Sequence, residues 1–243
     1  KAFYQICLQM FKMKIANIYY LGVFLLGISI LLKFFQNIDI QILYLFNYLF
    51  VSNSLLSIVT EMGNSFFIIS FLVPLFSYLS FAIKKLNYVA PSTLIIPGAL
   101  FGLIIQAIKN VLNFPRPGGI EGIDINFLNP VYQSLSYPSG HAASILFFGI
   151  WWSRLAMGNK FHLIRYLIFC LISLIAFSRV IVGAHWLSDV IASYAFTLLY
   201  IEIIHKQKVI NFLNKNNYLN IASALVIVTA LYSVFNFEVF DHI

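Results

Sequence analysis

Residues 178–189, which read SRVIVGAHWLSD, hold side chains suited to nucleophilic chemistry. If a helix begins near His185, then His185 and Asp189 lie at positions i and i+4, on one face and about one turn apart. At that spacing a carboxylate can keep one imidazole nitrogen protonated and orient the other, as a histidine nucleophile or base requires. Arg179 adds a planar guanidinium that suits a phosphate group. Taken alone, the stretch also fits a helix cap beside an interfacial histidine.

A second cluster consists of Lys109 and Arg116. They are seven residues apart, which is close to two turns at about 3.6 residues per turn. The two cations would therefore share a face if a helix ran through both. Pro115 and Pro117 should end that helix, however. The alternative interpretation is a pair of cations that extend from a helix end toward the membrane surface.

A third cluster, Tyr137-Pro138-Ser139-Gly140-His141, precedes an apolar run. A Ser-Gly step before a helix leaves free backbone N–H groups at the positive end of the helix dipole, which can bind an anion without a charged side chain. An ordinary N-cap by Ser139 is the alternative. A cap does not require a histidine in the first turn, where the dipole disfavours imidazolium. His141 therefore indicates an anionic partner.

The composition is that of a polytopic membrane protein. The chain has 243 residues, of which 61% are hydrophobic and 9% are charged, far less charge than a soluble domain carries. The net charge of +7 is scattered in loops between apolar runs, which argues against nucleic acid as a partner and fits positive inner loops. The two cysteines, Cys7 and Cys170, indicate no disulfide framework. The chain has no zinc-site pattern and no carboxylate cluster suited to Mg²⁺, so we expect no metal. We also expect no cofactor.

Apolar runs long enough to cross a bilayer set the predicted fold. They lie at residues 15–32, 64–83, 89–109, 141–157, 162–177 and 186–205, with a further run at 218–235. We predict an all-α transmembrane bundle of six core spans, to which 218–235 would add a seventh. Residues 1–14 should form a cytoplasmic lead-in, and the apolar spacing within 39–50 predicts an amphipathic helix at the membrane interface.

Smaller signals predict details of packing. Gly98 and Gly102 stand at small-xxx-small spacing, which predicts close packing of the third span against a neighbour. The tryptophans are expected to anchor helix ends at the bilayer interface; they are Trp151, Trp152 and Trp186. The histidines outside the clusters are expected to be non-catalytic; they are His162, His205 and His242.

The basic residues predict an orientation. With the N-terminus inside, most of the 15 basic residues fall on inner segments, and those left outside are Lys33, Lys109, Arg116 and Arg179. This bias follows the positive-inside rule. The three cations of the clusters escape the rule, which indicates that they have a function. In this topology the clusters share the outer face, where they could hold an anionic tetrahedral group and transfer it.

Together the motifs resemble the three-part signature of the type 2 phosphatidic acid phosphatase family. The matching residues are Lys109-x6-Arg116-Pro117, Pro138-Ser139-Gly140-His141 and Ser178-Arg179-x5-His185-x3-Asp189. Every fixed position is present and in order. The resemblance extends to the six-span layout over 15–205, so residues 1–243 are interpreted as a single membrane phosphatase domain.

The resemblance implies a role for each signature residue. His185 would be the nucleophile that forms a phosphohistidine, with Asp189 orienting it. His141 would protonate the leaving alcohol and then deprotonate the attacking water. The residues that would hold the phosphate are Lys109, Arg116, Ser139, Gly140 and Arg179. The family's phosphatases work without a metal. From the residues alone, only the neighbouring Asp189 favours His185 over His141 for the covalent step.

The expected function is hydrolysis of a lipid phosphate monoester or diphosphate whose tail stays in the bilayer. The resemblance implies phosphatidic acid, phosphatidylglycerol phosphate, undecaprenyl diphosphate or the phosphates of lipid A as candidates. The composition favours a bacterial cytoplasmic membrane, with the site facing the periplasm or exterior.

Several alternatives stay open at this stage. A lipid-to-lipid phosphotransferase would use the same site, and a haloperoxidase or an inactive member would share the signature. From a different class, an anion or lipid transporter could use the cations in a translocation path. A transporter should carry polar residues at mid-membrane depth, whereas here they gather at one end.

Overall fold

The apolar runs of the sequence form helices, because a backbone in lipid must satisfy its hydrogen bonds internally. The computed structural model describes residues 15–50, 55–127 and 131–236. The lead-in expected at 1–14 lies outside the described residues. The helices are α1 (Ile15–Phe34), α2 (Gln36–Phe50), α3 (Leu55–Glu61), α4 (Ser65–Ala82, with a π-helical turn at Ile68–Leu72), α5 (Pro91–Leu112), α6 (Gly140–Met157), α7 (His162–Ile181), α8 (Leu187–Ile204), α9 (Gln207–Lys215) and α10 (Asn217–Asn236).

Every predicted span corresponds to a helix, so the chain folds as a polytopic helical bundle. Within the described residues, α4, α5, α7, α8 and α10 are long and apolar enough to cross a membrane, and α1 with α2 would add a sixth span, bent by 94°. The fourth predicted span, α6, is not among these helices. Its position explains the difference, because Ala142, Leu146 and Trp151 lie buried in the centre of the bundle and face protein.

Helix α2 is the amphipathic helix that the apolar spacing predicted, and its place at the membrane interface stays a prediction. Two of its polar side chains face protein. The carboxylate of Asp39 is buried and accepts a hydrogen bond from the Ser188 backbone N–H at 3.1 Å. The amide of Asn47 donates to the Ile181 carbonyl at 2.8 Å. Helix α2 therefore covers the end of α7 and the start of α8.

Glycines bring two helix pairs into close contact. A Cβ on Gly22 of α1 would lie 2.9 Å from Leu199 Cγ of α8, and a Cβ on Gly149 of α6 would lie 2.7 Å from Ile172 Cγ2 of α7. The predicted small-residue packing at Gly98 and Gly102 is wrong in part. A Cβ on Gly102 would meet nothing within 4 Å, because this face of α5 borders a cleft.

The expectation that the tryptophans anchor helix ends at the bilayer surface is wrong. All three are buried, and each indole N–H donates to a backbone carbonyl. Trp151 bonds to Thr93, Trp152 to Phe76 and Trp186 to Pro115, at 2.9, 3.1 and 2.9 Å. The apolar faces of these rings fill the core, while the bonds satisfy their single donors.

The polar clusters come together because four helix ends meet at one end of the bundle. The last turn of α5 carries Lys109, and the N-cap of α6 is Ser139. The last turn of α7 carries Arg179, and the first turn of α8 carries Asp189. The bend between α1 and α2 reaches the same place, as does the turn after α3. This end holds the candidate site.

Candidate active site

His185 and Asp189 form a buried pair at the connection between α7 and α8. The connection turns back at Gly183, which has a φ of +76°, a conformation that favours glycine. His185 Nδ1 lies 3.2 Å from Asp189 Oδ2. The same oxygen accepts the Trp186 backbone N–H at 3.0 Å, as part of a cap at the start of α8. One carboxylate thus starts the helix and fixes the imidazole ring.

Two further partners hold Asp189. The hydroxyl of Ser136 donates to its Oδ2, and Lys33 Nζ lies 2.7 Å from its Oδ1. The Lys33 ammonium also lies 5.6 Å from the ring centroids of Phe114 and Tyr137, where the negative face of an aromatic ring attracts a cation. These contacts compensate the cost of burying the Asp189 charge.

Ser139 and Gly140 join the start of α6 to the start of α8. The Ser139 N–H donates to the Asp189 backbone carbonyl at 3.2 Å, and the Ser193 hydroxyl donates to the Ser139 carbonyl at 2.8 Å. Ser139 Oγ caps α6 by accepting from the Ala142 N–H at 3.4 Å, which is the alternative that the sequence had left open. The N-terminus of α6 therefore lies directly against the histidine–carboxylate pair.

Backbone carbonyls hold Lys109 and Arg116 in place. Lys109 Nζ donates to the Leu135 carbonyl at 2.9 Å and passes beside Gly140, where an added Cβ would lie 3.9 Å from Nζ. Helix α5 ends at Leu112, so Arg116 reaches the site from the following loop. Its Nε donates to the Ser134 carbonyl at 2.9 Å and its Nη1 to the Ala184 carbonyl at 3.4 Å.

Arg179 is buried on the other side of His185. Its backbone carbonyl accepts the N–H groups of Ala184 and His185, each at 3.1 Å. Its Nη1 donates to Thr60 Oγ1 at 2.9 Å. Its Nε is buried and has no hydrogen-bond partner among the described residues. A buried donor without a partner is costly, so this nitrogen is suited to an anion.

Glu61, at the end of α3, connects Arg179 to His141. Its Oε1 lies 3.5 Å from Arg179 Nη1, and its Oε2 lies 3.5 Å from His141 Nε2. Burial raises the pKa of Glu61, but the contact with His141, the hydrogen bond from Asn64 and the charge of Arg179 together lower it to about 2. Glu61 is therefore a carboxylate at physiological pH.

The two site histidines have different environments. His185 is 1% exposed, whereas the side chain of His141 is 30% exposed. Burial lowers the pKa of His185 well below its ordinary value of 6.5, and the charges of Arg116 and Lys109 act in the same direction against the opposing effect of Asp189. A neutral, buried His185 is suited to nucleophilic attack, and the more open His141 is suited to exchange protons with a substrate or water.

The structure thus brings every residue that the motifs named into one connected cluster. Sequence reasoning missed Lys33 and Glu61 as members of the site; it had interpreted Lys33 only as an outer charge. A signal for Lys33 was present, because it is an outer cation that breaks the positive-inside pattern. In the described ranges, His, Cys, Asp and Glu side chains form no group of three or more that could hold a metal ion, and metal-free chemistry stays a prediction.

The model of the PAP2 superfamily matches residues 92–212, about half of the chain, and this stretch contains all the residues that the motifs named. The chain belongs to the PAP2 superfamily. Lys33 and Glu61 lie before the matched stretch.

Similar proteins include enzymes that act on lipid phosphates. Sphingosine-1-phosphate phosphatase 1 of Rattus norvegicus and that of Mus musculus are each 31% identical over 156 residues, which cover 60% of this chain and 33% of the relative. The chain thus spans about a third of the length of these curated relatives. The crystal structure of Aquifex aeolicus LpxE is similar with a TM-score of 0.52 and 26% identity, covering 68% of this chain and 92% of that one.

Proposed function

We propose that this PAP2 membrane protein is a metal-independent lipid phosphatase that works through a phosphohistidine at the extracytoplasmic face. The observation that carries the proposal is the buried His185–Asp189 pair at the end of the bundle that also holds Lys109, Arg116 and Arg179. Phosphoryl transfer depends on positioning and on stabilising the charge of the transferred group. The named activity of the sphingosine-1-phosphate phosphatases supports lipid phosphate hydrolysis.

In the first step, Nε2 of His185 attacks phosphorus and the P–O bond to the lipid breaks. Asp189 keeps the Nδ1–H of His185 in place, so that Nε2 carries the lone pair. His141 gives its proton to the leaving oxygen, and the lipid departs as an alcohol. The phosphoryl group stays on His185.

In the second step, His141 takes a proton from water. The resulting hydroxide attacks phosphorus, the P–N bond breaks and inorganic phosphate leaves. Both histidines return to their starting protonation states. Because Lys109 and Arg116 are held by backbone carbonyls, their remaining N–H groups can meet the phosphate oxygens without reorganisation.

An apolar cleft supports a substrate with a hydrocarbon tail. The cleft has a volume of about 130 Å³ and is lined by Ser65 of α4, Gly98 and Gly102 of α5 and Ser144 and Phe147 of α6, among others. Ser144 lies one helical turn from His141. A lipid whose phosphate meets His185 could therefore lay the first part of its tail in this cleft.

The charges favour a single phosphate in the head group. Of the outer cations, Lys33 is already paired with Asp189 and enclosed by aromatic rings. Lys109, Arg116 and Arg179 then remain for the substrate, and they lie around one position. A phosphate monoester fits this arrangement better than a diphosphate or a head group with separate phosphates.

The test is phosphate release by purified protein in detergent with EDTA, across a panel of lipid monophosphates and diphosphates. We expect release from monophosphates that survives EDTA and disappears in His185→Ala. The matched control is His162→Ala, at the opposite end of α7, which should keep wild-type activity. Release that persists in His185→Ala would overturn the proposal. Transfer of the phosphoryl group to an added acceptor lipid, without release of inorganic phosphate, would identify a phosphotransferase instead.

A further inference from the structure

We propose that Glu61 is the positioning residue of the proton-donating histidine: it fixes the ring of His141 and stabilises its imidazolium form. This inference rests on the proposed phosphatase function. Glu61 precedes the stretch that matches the family model, and it belongs to none of the three motifs. Its role is argued from its contacts.

The position of Glu61 is well defined by its own turn. The backbone N–H groups of Gly63 and Asn64 donate to the carbonyls of Thr60 and Glu61 at 3.2 and 2.9 Å. The Asn64 side-chain amide donates to Glu61 Oε2 at 3.1 Å. A Cβ on Gly63 would lie 3.0 Å from the His141 carbonyl oxygen, so the turn packs directly on the first turn of α6.

A carboxylate at this position is unfavourable for substrate binding. It is buried and lies 3.5 Å from Arg179, where a phosphate is expected to bind. A phosphate bound to Arg179 would lie near this carboxylate, and like charges repel each other. Burial of a carboxylate is tolerated when the charge has partners, and here the second partner is His141.

His141 needs such a partner to act as an acid. It lies in the first turn of α6, where the helix dipole disfavours a positive charge. The charged groups around it are Arg179 from α7, Lys109 from α5 and Glu61 from the turn after α3. The two cations also disfavour imidazolium, so Glu61 is the neighbour that favours it. Each histidine of the site then has its own carboxylate: Asp189 for His185 and Glu61 for His141.

Substrates with different leaving groups can distinguish this positioning role of Glu61 from a purely structural role. An alkyl alcohol is a poor leaving group and needs the proton from His141, whereas p-nitrophenolate leaves without it. For Glu61→Gln we expect the first-turnover release of the alcohol from a soluble alkyl phosphate to slow by about 10-fold or more, within the range of general acid catalysis. First-turnover release of p-nitrophenol from p-nitrophenyl phosphate should stay close to the wild-type rate.

Removing the carboxylate should slow the reaction of alkyl phosphates but strengthen the binding of phosphate. Inorganic phosphate should inhibit Glu61→Gln at lower concentrations than it inhibits the wild type, because the repulsion beside Arg179 is gone. In Glu61→Ala, added formate should restore part of the alkyl phosphate rate. A misfolded variant would lose the aryl rate as well and would not respond to formate.

The outcomes are distinct from those that test the phosphatase itself. The wild type must release phosphate, and His185→Ala must not; if either fails, the phosphatase proposal fails. If both hold, equal slowing of the alkyl and aryl substrates in Glu61→Gln would overturn the role of Glu61, as would an unchanged alkyl rate.

Discussion

Lys33 Nζ lies 2.7 Å from Asp189 Oδ1, so an ion pair links the last turn of the first helix to the carboxylate that holds His185. Asp189 is completely buried. Its charge is shared among Lys33, the Ser136 hydroxyl, the Trp186 N–H and His185. The pair lets a full carboxylate lie beside His185 within the bundle.

Loss of this ion pair should destabilise the protein. Breaking a buried pair costs about 3–5 kcal/mol, and because Lys33 is 17% exposed we expect Lys33→Met to lower the free energy of unfolding by about 2–3 kcal/mol. Phosphate release should fall as well, because Asp189 would lose its cationic partner and hold His185 less firmly. Chemical unfolding in detergent and phosphate release measure the two effects.

Lys33→Arg is the matched variant, because it keeps the charge and should retain most of the stability. Lys85→Met removes an exposed lysine from the loop after α4 and should leave both measurements unchanged. A Lys33→Met protein with wild-type stability would show that the ion pair contributes nothing.

The sequence predicted the helices well because each span is a local signal. A run such as 162–177 must become a helix in lipid whatever its neighbours do, and α7 does form there. The signature residues could also be predicted from the sequence, because their spacing in the chain reflects one chemistry. The Ser139 cap and the His185–Asp189 contact each join residues less than five positions apart.

Contacts between distant segments could not be predicted. Lys33 with Asp189 and Glu61 with Arg179 each join residues more than one hundred positions apart, and no local pattern marks such pairs. The prediction for the tryptophans was wrong for a related reason. Composition favours the bilayer surface for an indole, but a carbonyl freed at the right place in the bundle, as Pro115 provides for Trp186, lets the ring be buried.

The environment of His185 predicts a pH profile. Its pKa lies well below 6.5 because burial disfavours imidazolium and the charges of Arg116 and Lys109 repel it. A group whose pKa is depressed stays neutral as the pH falls through 6.5 and takes up its proton only at lower pH. The acid limb of kcat/KM, which reports the free enzyme, should therefore lie below the ordinary histidine range.

Arg116→Gln tests the cause of that shift. Removing one repelling charge should move the acid limb to higher pH, in addition to weakening substrate binding. Arg165→Gln, which changes an arginine at the opposite end of α7, is the control and should not move the limb. A wild-type acid limb at or above the ordinary histidine pKa would contradict the prediction.

The cleft beside α5 should determine how well a long tail is accepted. A Cβ at Gly102 would meet nothing within 4 Å, so Gly102→Leu can fold without strain and would place its side chain in the cleft. Replacing a helical glycine also favours the helix by up to about 1 kcal/mol. We expect Gly102→Leu to reduce kcat/KM for a long-chain lipid phosphate while activity on p-nitrophenyl phosphate stays unchanged.

Gly27→Leu is the matched control for the cleft. Gly27 is also a helical glycine whose Cβ would meet nothing within 4 Å, but it lies on α1 and does not line the cleft. It should leave the activity on both substrates unchanged. If Gly102→Leu and Gly27→Leu behave alike on the long-chain lipid, the tail does not use this cleft.

The orientation of the site can be tested in intact cells. The site end of the bundle carries Glu121 in the loop after α5, whereas Lys84, Lys85 and Lys160 lie in the loops at the opposite end. Because positive loops stay inside, the site should face outward. In a chain with Cys7 and Cys170 replaced by Ser, a membrane-impermeant maleimide should label Glu121→Cys in intact cells. It should label Lys160→Cys only after the membrane is permeabilised. The reverse pattern would place the site on the cytoplasmic side, and its substrate would then have to come from the inner leaflet.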